Sequence, residues 1–181
     1  MRLREKYKKV IVPKLQAEFG YKNSLMAPRL VKAVLNVGFG RAAKEKDVKD
    51  AVAKGLMKIS GQKPVFTVAK KSISAFKVRE GMIIGAKVTL RGARLYDFVE
   101  KLVNITFPRV RDFRGLSEKL VDRQGNLTVG FKEHAAFPEI KAEDIDEAFG
   151  LEVSLAGAAK SREEALALFK ALGFPFKKED K

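Results

Sequence analysis

The chain is predicted to be α+β: a single domain on one largely antiparallel sheet, with helices packed on one face and a polar face left exposed. Three observations predict this. Stretches alternating with period two are mixed with stretches of three-to-four spacing, without the regular strand–helix alternation of a parallel sheet. Hydrophobic residues make up 46% of the chain, enough to fill a core. The 181 residues suit one domain, and no internal repeat or low-complexity run divides them.

The elements follow in order. Leu3, Tyr7, Val10, Ile11, Leu15 and Phe19 recur at helical spacing, and Pro13 predicts a kink or a split into two short helices. Residues 30–37 alternate as a strand, with Val31, Ala33, Leu35 and Val37 on one face and Lys32, Val34 and Asn36 on the other. Residues 46–60 form a helix with Val48, Ala51, Val52, Leu56 and Ile59 inward, stopped by Gly61. Pro64 to Ala69 is a short strand, and 70–82 a long loop expected to be mobile. In 83–91, Ile84, Ala86, Val88 and Leu90 oppose Lys87, Thr89 and Arg91. An amphipathic helix over 93–106 runs through Leu95, Phe98, Val99, Leu102 and Val103, closed by Pro108. VDRQGNLTVGF reads as a hairpin turning near Gln124-Gly125-Asn126, and LEVSLAG as a strand with Leu151, Val153 and Leu155 inward. Ser161 and Glu164 form a capping box for a last helix, which reaches Leu172 and ends at Gly173.

Charge is the strongest functional signal. The net charge is +15, and residues 1–90 hold 21 basic and 6 acidic residues, whereas 91–181 hold 16 of each. The whole excess therefore lies in a basic part, about 1–92, ahead of a neutral part, about 93–181. So lopsided a distribution favours a polyanion, nucleic acid ahead of an anionic membrane surface or plain solubility. There are no cysteines, which removes disulfides and thiolate metal sites. MRLREKYKKVIVPKLQAEFG has no apolar signal region, and no window approaches 18 apolar residues. A cytoplasmic protein without a membrane partner is expected.

Catalytic readings fail one by one. Gly38-x-Gly40-x-x-Ala43 between a strand and a helix matches a dinucleotide fingerprint. The next strand, however, ends in Lys70-Lys71 where a ribose would need an acid, so a tight turn is the better reading. The single histidine, His134, has only Glu133 beside it, which favours a structural or surface role over a ligand or base. Glu143, Asp144, Asp146 and Glu147 lack the calcium-loop pattern and read as a solvated first helical turn. No enzyme, cofactor, metal site or small-molecule substrate is expected.

The basic constellation survives. Lys87, Thr89 and Arg91 share one strand face, and Asn36 joins them if its strand is a neighbour, with Gln62-Lys63 at the entry to the intervening strand. Such a face offers donors to phosphates, ribose hydroxyls and base edges. An ordinary solvated sheet face is the alternative, made less attractive by the basic loop beside it. That loop sets Phe76 between Lys70-Lys71 and Lys77/Arg79, an arrangement suited to stacking on a base. A major-groove DNA reader fits less well, because no helix carries a dense base-reading pattern.

Six ordered motifs, ISGQKP (59–64), KKSISAFKVREGMIIGAKVTLRG (70–92), PRVRDFRGLS (108–117), RQGNLTVGFKE (123–133), FPEI (137–140) and GFPFKK (173–178), span nearly the whole chain. Together they closely resemble bacterial large-subunit ribosomal protein five, the L-five family. DRQGN stands where the commonest pattern has DGRGN, and EHAAFPEI where it has EQ before FPEI. The resemblance implies a protein that binds 5S rRNA and helps attach it to 23S rRNA in the central protuberance. It implies 5S contacts at Asn36, Gln62, Lys63, Thr89 and Arg91, beside which Lys87 sits. It implies that the loop meets P-site tRNA through Lys70, Lys71, Ser72, Ser74, Phe76, Lys77 and Arg79. It implies an intersubunit bridge with small-subunit ribosomal protein thirteen, for which Arg109, Arg111, Arg114, Glu133, Glu143, Asp144 and Asp146 are candidates. A free-standing RNA chaperone or translational regulator, and a nucleotide-dependent enzyme on Gly38–Ala43, are the competing classes.

Overall fold

The structure, a computed structural model, describes residues 1–40, 46–140 and 149–177. The expected acidic turn at Glu143–Glu147 and Ala43 of the glycine motif lie outside the described residues. Helix α1 (Leu3–Lys6) passes through a π-turn (Tyr7–Ile11) into α2 (Val12–Phe19). There follow β1 (Arg29–Gly38), α3 (Lys46–Ser60), β2 (Val65–Val68) and β3 (Ile83–Leu90). Then α4 (Gly92–Lys101) runs through a second π-turn (Leu102–Thr106) into α5 (Phe107–Arg109). Last come β4 (Leu127–Phe131), β5 (Leu151–Ala158) and α6 (Arg162–Leu172). The five strands form one antiparallel sheet in the order β2-β3-β1-β5-β4, so the α+β expectation holds.

The prolines act differently from expectation. Pro13 does not split the first helix into two separate pieces, and Pro108 does not close the second, which continues to Arg109. A proline inside a helix has no N–H to donate and its ring crowds the carbonyl four residues back. Both helices widen just before the proline: the Val12 N–H donates to the Tyr7 carbonyl, and the Phe107 N–H to the Leu102 carbonyl, each five residues back. The first π-turn also holds a stripe together. Leu3, Ile11 and Leu15 are buried at steps that are multiples of four, which a regular 3.6-residue helix would rotate apart. Val10, expected on that stripe, points outward and is 49% exposed.

Packing divides the chain into two compact units whose boundaries fall inside β1, β3, β4 and β5. One unit holds Met1–Ala33, Leu90–Val129 and Ser154–Lys181. In it Leu95, Phe98, Val99 and Leu102 of α4 and its π-turn are buried, as are Leu168, Phe169 and Leu172 of α6. Phe107 stacks on Phe113 at 5.3 Å and meets Phe174 edge-on at 6.0 Å. The capping box is present: Ser161 Oγ accepts from the Glu164 N–H at 3.3 Å, while Glu164 Oε2 accepts from the Lys160 N–H at 2.8 Å. Gly173 ends α6 at φ 95°, a conformation that favours glycine. The hairpin at 124–126 is reduced to a single Val121–Leu127 bridge, closed by Asp122 rather than by a full strand pair.

The other unit holds Val34–Thr89 and Gly130–Val153. Val52, Leu56 and Ile59 of α3 are buried as expected, together with Leu35, Val37, Ala86 and Val88 from the strands. His134 is structural: it is buried, stacks on Phe149 at 4.0 Å, and its Nδ1 accepts from the Phe149 N–H at 3.3 Å. Strand β1 departs from the simple alternation. Leu30 is buried and Val31 is 38% exposed, so the strand changes phase before Ala33. The edge strand β2 is short, is preceded by Pro64 and carries an irregularity at Thr67/Val68, all of which discourage edge-to-edge pairing.

Candidate nucleic-acid interface

The polar sheet face assembles as its spacing demands. On β3 the residues Ala86, Val88 and Leu90 are buried, which turns Lys87 and Thr89 to the other side. Strand β1 is the neighbour of β3, and with Leu35 and Val37 buried its Asn36 is exposed. Asn36, Lys87 and Thr89 therefore share the outer face of adjacent strands. The next strand, β5, adds the exposed Glu152, so the cationic character is concentrated on β3 and its flanks.

Gln62 and Lys63 are fixed by local chemistry. The pairing of β2 with β3 ends at Val65 opposite Lys87, and Pro64 has no N–H with which to extend it. The Thr89 carbonyl accepts instead from Gln62 Nε2 at 3.4 Å, a long contact. The Gln62 N–H donates to Ser60 Oγ at 3.2 Å, and the Ser60 hydroxyl donates to the Leu56 carbonyl at 2.6 Å, which ties the turn to the end of α3. Lys63 is exposed beside it. Arg91 is exposed one residue past β3, in extended conformation at the start of α4, and belongs to the other unit.

Close approach, which no sequence pattern displayed, shapes this face. A side chain at Gly85 would place its Cβ 2.7 Å from Thr67 Oγ1 and 2.8 Å from the Val37 carbonyl oxygen. The two glycines of the suspected nucleotide motif show no such need. Neither Gly38 nor Gly40 has positive φ, and a Cβ at Gly40 would meet only Ile84 at an ordinary 3.9 Å. That agrees with a turn.

The segment 70–82 is not structureless. Ile73 and Val78 form an antiparallel bridge around a 3₁₀ turn, Ser74–Phe76. The base is closed by the Ala69 N–H donating to the Met82 carbonyl at 2.8 Å and the Gly81 N–H to the Ala69 carbonyl at 3.0 Å. Ser72 Oγ accepts from the Glu80 N–H at 2.9 Å. Lys77 closes the turn at φ 53°, a left-handed conformation unusual for a non-glycine residue. Lys70, Lys71, Ser72, Ser74, Phe76, Lys77 and Arg79 are all exposed, and Phe76 is 74% exposed.

The hairpin separates two open grooves. One, of about 910 Å³, is walled by Ala69, Ile73, Phe76, Val78 and Ile84, with Lys70, Lys71 and Lys77 also lining it. The second, of about 680 Å³, gathers Ser72, Ser74, Lys77 and Arg79. One groove can take an apolar or aromatic face and the other offers hydroxyls and cations. Among the bridge candidates Arg109, Arg111, Arg114 and Glu133 are exposed, and Asp112 between the arginines has φ 54°. Glu143, Asp144 and Asp146 lie outside the described residues. Among the described residues no three His, Cys, Asp or Glu side chains cluster to hold a metal, and no helix is long and apolar enough to cross a membrane.

These features define an α+β protein of strongly basic character whose cations are presented on a sheet face and a structured hairpin. The chain belongs to the ribosomal protein L5 family: the profile described as Ribosomal protein L5 matches residues 23–79, and the profile for the C-terminus of the same ribosomal family matches residues 83–176. Named relatives agree. A large ribosomal subunit protein uL5 of Halothermothrix orenii is 50% identical over 174 residues, covering 96% of this chain and 97% of its own length. Those of Fervidobacterium nodosum and Colwellia psychrerythraea are 52% and 48% identical, each covering 98% of this chain and 96% and 98% of their own lengths. The chain is thus a structural constituent of the large ribosomal subunit, in the cytoplasmic ribosome, and not an enzyme.

Proposed function

We propose that this protein binds 5S rRNA through Asn36, Gln62, Lys63, Lys87, Thr89 and Arg91, and helps attach it to 23S rRNA in the central protuberance. The observation that carries this reading is the shared outer face of Asn36, Lys87 and Thr89 on adjacent strands, with Gln62 anchored to the Thr89 carbonyl. A rigid sheet fixes the spacing of amide, hydroxyl and ammonium groups, which suits a folded RNA better than a flexible tail does. The hairpin is the tRNA-facing element of this reading: Phe76 presents a ring for stacking, and Lys70, Lys71, Lys77 and Arg79 with Ser72 and Ser74 meet the backbone of P-site tRNA. Arg109, Arg111, Arg114 and Glu133, with Glu143, Asp144 and Asp146, are the side offered to small-subunit ribosomal protein thirteen.

The test is a salt-series titration against 5S rRNA, with tRNA and an unrelated structured RNA as competitors. Binding that persists at salt where the competitors are released supports the reading; equal, salt-labile binding to all three reduces it to general polyanion affinity. Thr89→Ala with Arg91→Ala is expected to weaken 5S binding at least tenfold with an unchanged circular-dichroism spectrum. Unchanged affinity would remove the sheet face from the assignment.

A further inference from the structure

The N-terminal helix carries a second charged surface, separate in sequence from both the sheet face and the hairpin. Residues 1–17 hold six cations, Arg2, Arg4, Lys6, Lys8, Lys9 and Lys14, against one acid, Glu5. All six are exposed, while Leu3, Ile11 and Leu15 turn inward. The inward side is anchored: the Leu3 N–H donates to Glu100 Oε2 at 3.1 Å and the Tyr7 hydroxyl to the Pro28 carbonyl at 3.1 Å. The cationic side is consequently held outward in one orientation.

These charges oppose the helix that carries them. Arg2 with Lys6 and Arg4 with Lys8 are like charges four residues apart, and Lys6 with Lys9 three apart, spacings at which repulsion destabilises a helix. Arg2 and Arg4 also lie at the positive end of the helix dipole, where acids are favoured. No ion pair relieves any of the six among the described residues. A surface needed only for solubility gains nothing from that arrangement, whereas a bound polyanion reverses both penalties.

We propose that the outer face of α1, its π-turn and α2 is a second RNA-binding surface, taking the phosphate backbone of a stretch of ribosomal RNA other than the one on the sheet. Flexible lysines without an aromatic or amide partner suit phosphates and carry no base-reading pattern. This extends the reading above, since one protein with two RNA surfaces can join two RNA segments. Lys6, Lys8 and Lys9 are the residues to test. Replacing the three by glutamine should lower the log–log salt slope of that contact by about 2–3, at roughly 0.7–0.9 for each phosphate neutralised.

The experiment is lysine acetylation read by mass spectrometry in the free protein, in its 5S rRNA complex and in whole large subunits. Ultraviolet cross-linking of the subunits identifies what touches the helix. Lys6, Lys8 and Lys9 should react equally in the first two states, at least tenfold more slowly in the third, and carry nucleotide adducts. The K6Q/K8Q/K9Q variant should keep 5S affinity within twofold yet lose to wild type in competition for assembly into subunits. Protection by 5S rRNA alone would make the helix part of the first site and overturn the proposal. Full reactivity in subunits, or cross-links to peptide only, would overturn it as well. Lys63 and Lys87 serve as the internal control: if 5S rRNA does not protect them, the sheet assignment fails while the helix result is still read from the subunits.

Discussion

Replacing Gly55 by alanine should destabilise this protein, although the same change in an ordinary helix interior stabilises it by about 1 kcal/mol. Gly55 lies within α3, where a Cβ would stand 2.7 Å from Phe149 Cζ and 3.0 Å from Cε1. The ring would have to retreat by about 0.7 Å to restore ordinary van der Waals separation near 3.4 Å. It is not free to do so, because it stacks on His134 at 4.0 Å. The Phe149 backbone is also tied to His134 twice, through Nδ1 at 3.3 Å and through the His134 N–H donating to the Phe149 carbonyl at 3.1 Å. Overpacking of this kind costs about 1–3 kcal/mol, and so constrained a ring belongs in the upper half of that range. Setting the helical gain against it leaves a net loss of about 1–2 kcal/mol, a fall in Tm of about 2–8 °C for a chain of this size. Thermal unfolding by circular dichroism measures it. Phe149→Leu removes the clashing ring atom, so the alanine penalty should shrink in that background. A rise in Tm for Gly55→Ala alone would refute the assigned packing of α3 against the His134–Phe149 stack.

Other outcomes follow from the same kind of reasoning. Lys77→Ala with Arg79→Ala should spare 5S rRNA binding while shortening P-site tRNA retention on assembled ribosomes; lost 5S binding would show that the two surfaces are wrongly divided. Burial, with Tyr96 adding and Arg29 opposing, pushes the Tyr7 hydroxyl up to about 12. Its folded value exceeds the unfolded value near 10, so its contribution is complete below pH 10 and is lost as pH rises from about 10 to 12. Tyrosinate absorbance should lag free tyrosine over that window, and Tyr7→Phe should flatten the alkaline fall in stability. Burial would raise the Asp122 carboxyl, but hydrogen bonds from Asn126, Gln124 and Gly125 outweigh it and hold it below the usual carboxylate range. Its contribution is therefore present above about pH 4 and disappears as pH falls through the lowered value. Asp122→Ala should be less stable than wild type at neutral pH and converge with it in acid, as urea unfolding at the two pH values would report.

Local periodicity and chemistry carried most of the elements. Alternation over 83–91 was enough to place Lys87 and Thr89 opposite Ala86 and Val88, because side chains on a strand have no other option. Ser161, Glu164 and Gly173 bounded the last helix because capping satisfies groups only a residue or a few away. Neither proline ended its helix, and for one reason: the cost of a proline is local, but the burial that holds the helix together is not, and a π-turn resolves the conflict. The order β2-β3-β1, which puts Asn36 beside Lys87 and Thr89, depends on strand pairing across some fifty residues, and no local pattern encodes it.

By itself the sequence determined the fold class, the basic bias of its first half, and through six ordered motifs the family. Tertiary structure alone decided which cations share a face, that segment 70–82 closes into a hairpin with a groove on each side, and that Gly85 must stay small beneath Thr67. Lys77 shows the difference most plainly. Nothing in the residue type announces a left-handed backbone, and only the Ile73–Val78 bridge, closing around a three-residue turn, forces it. Composition and spacing are properties of neighbours in the chain, whereas close approach and strain arise when distant segments are packed together.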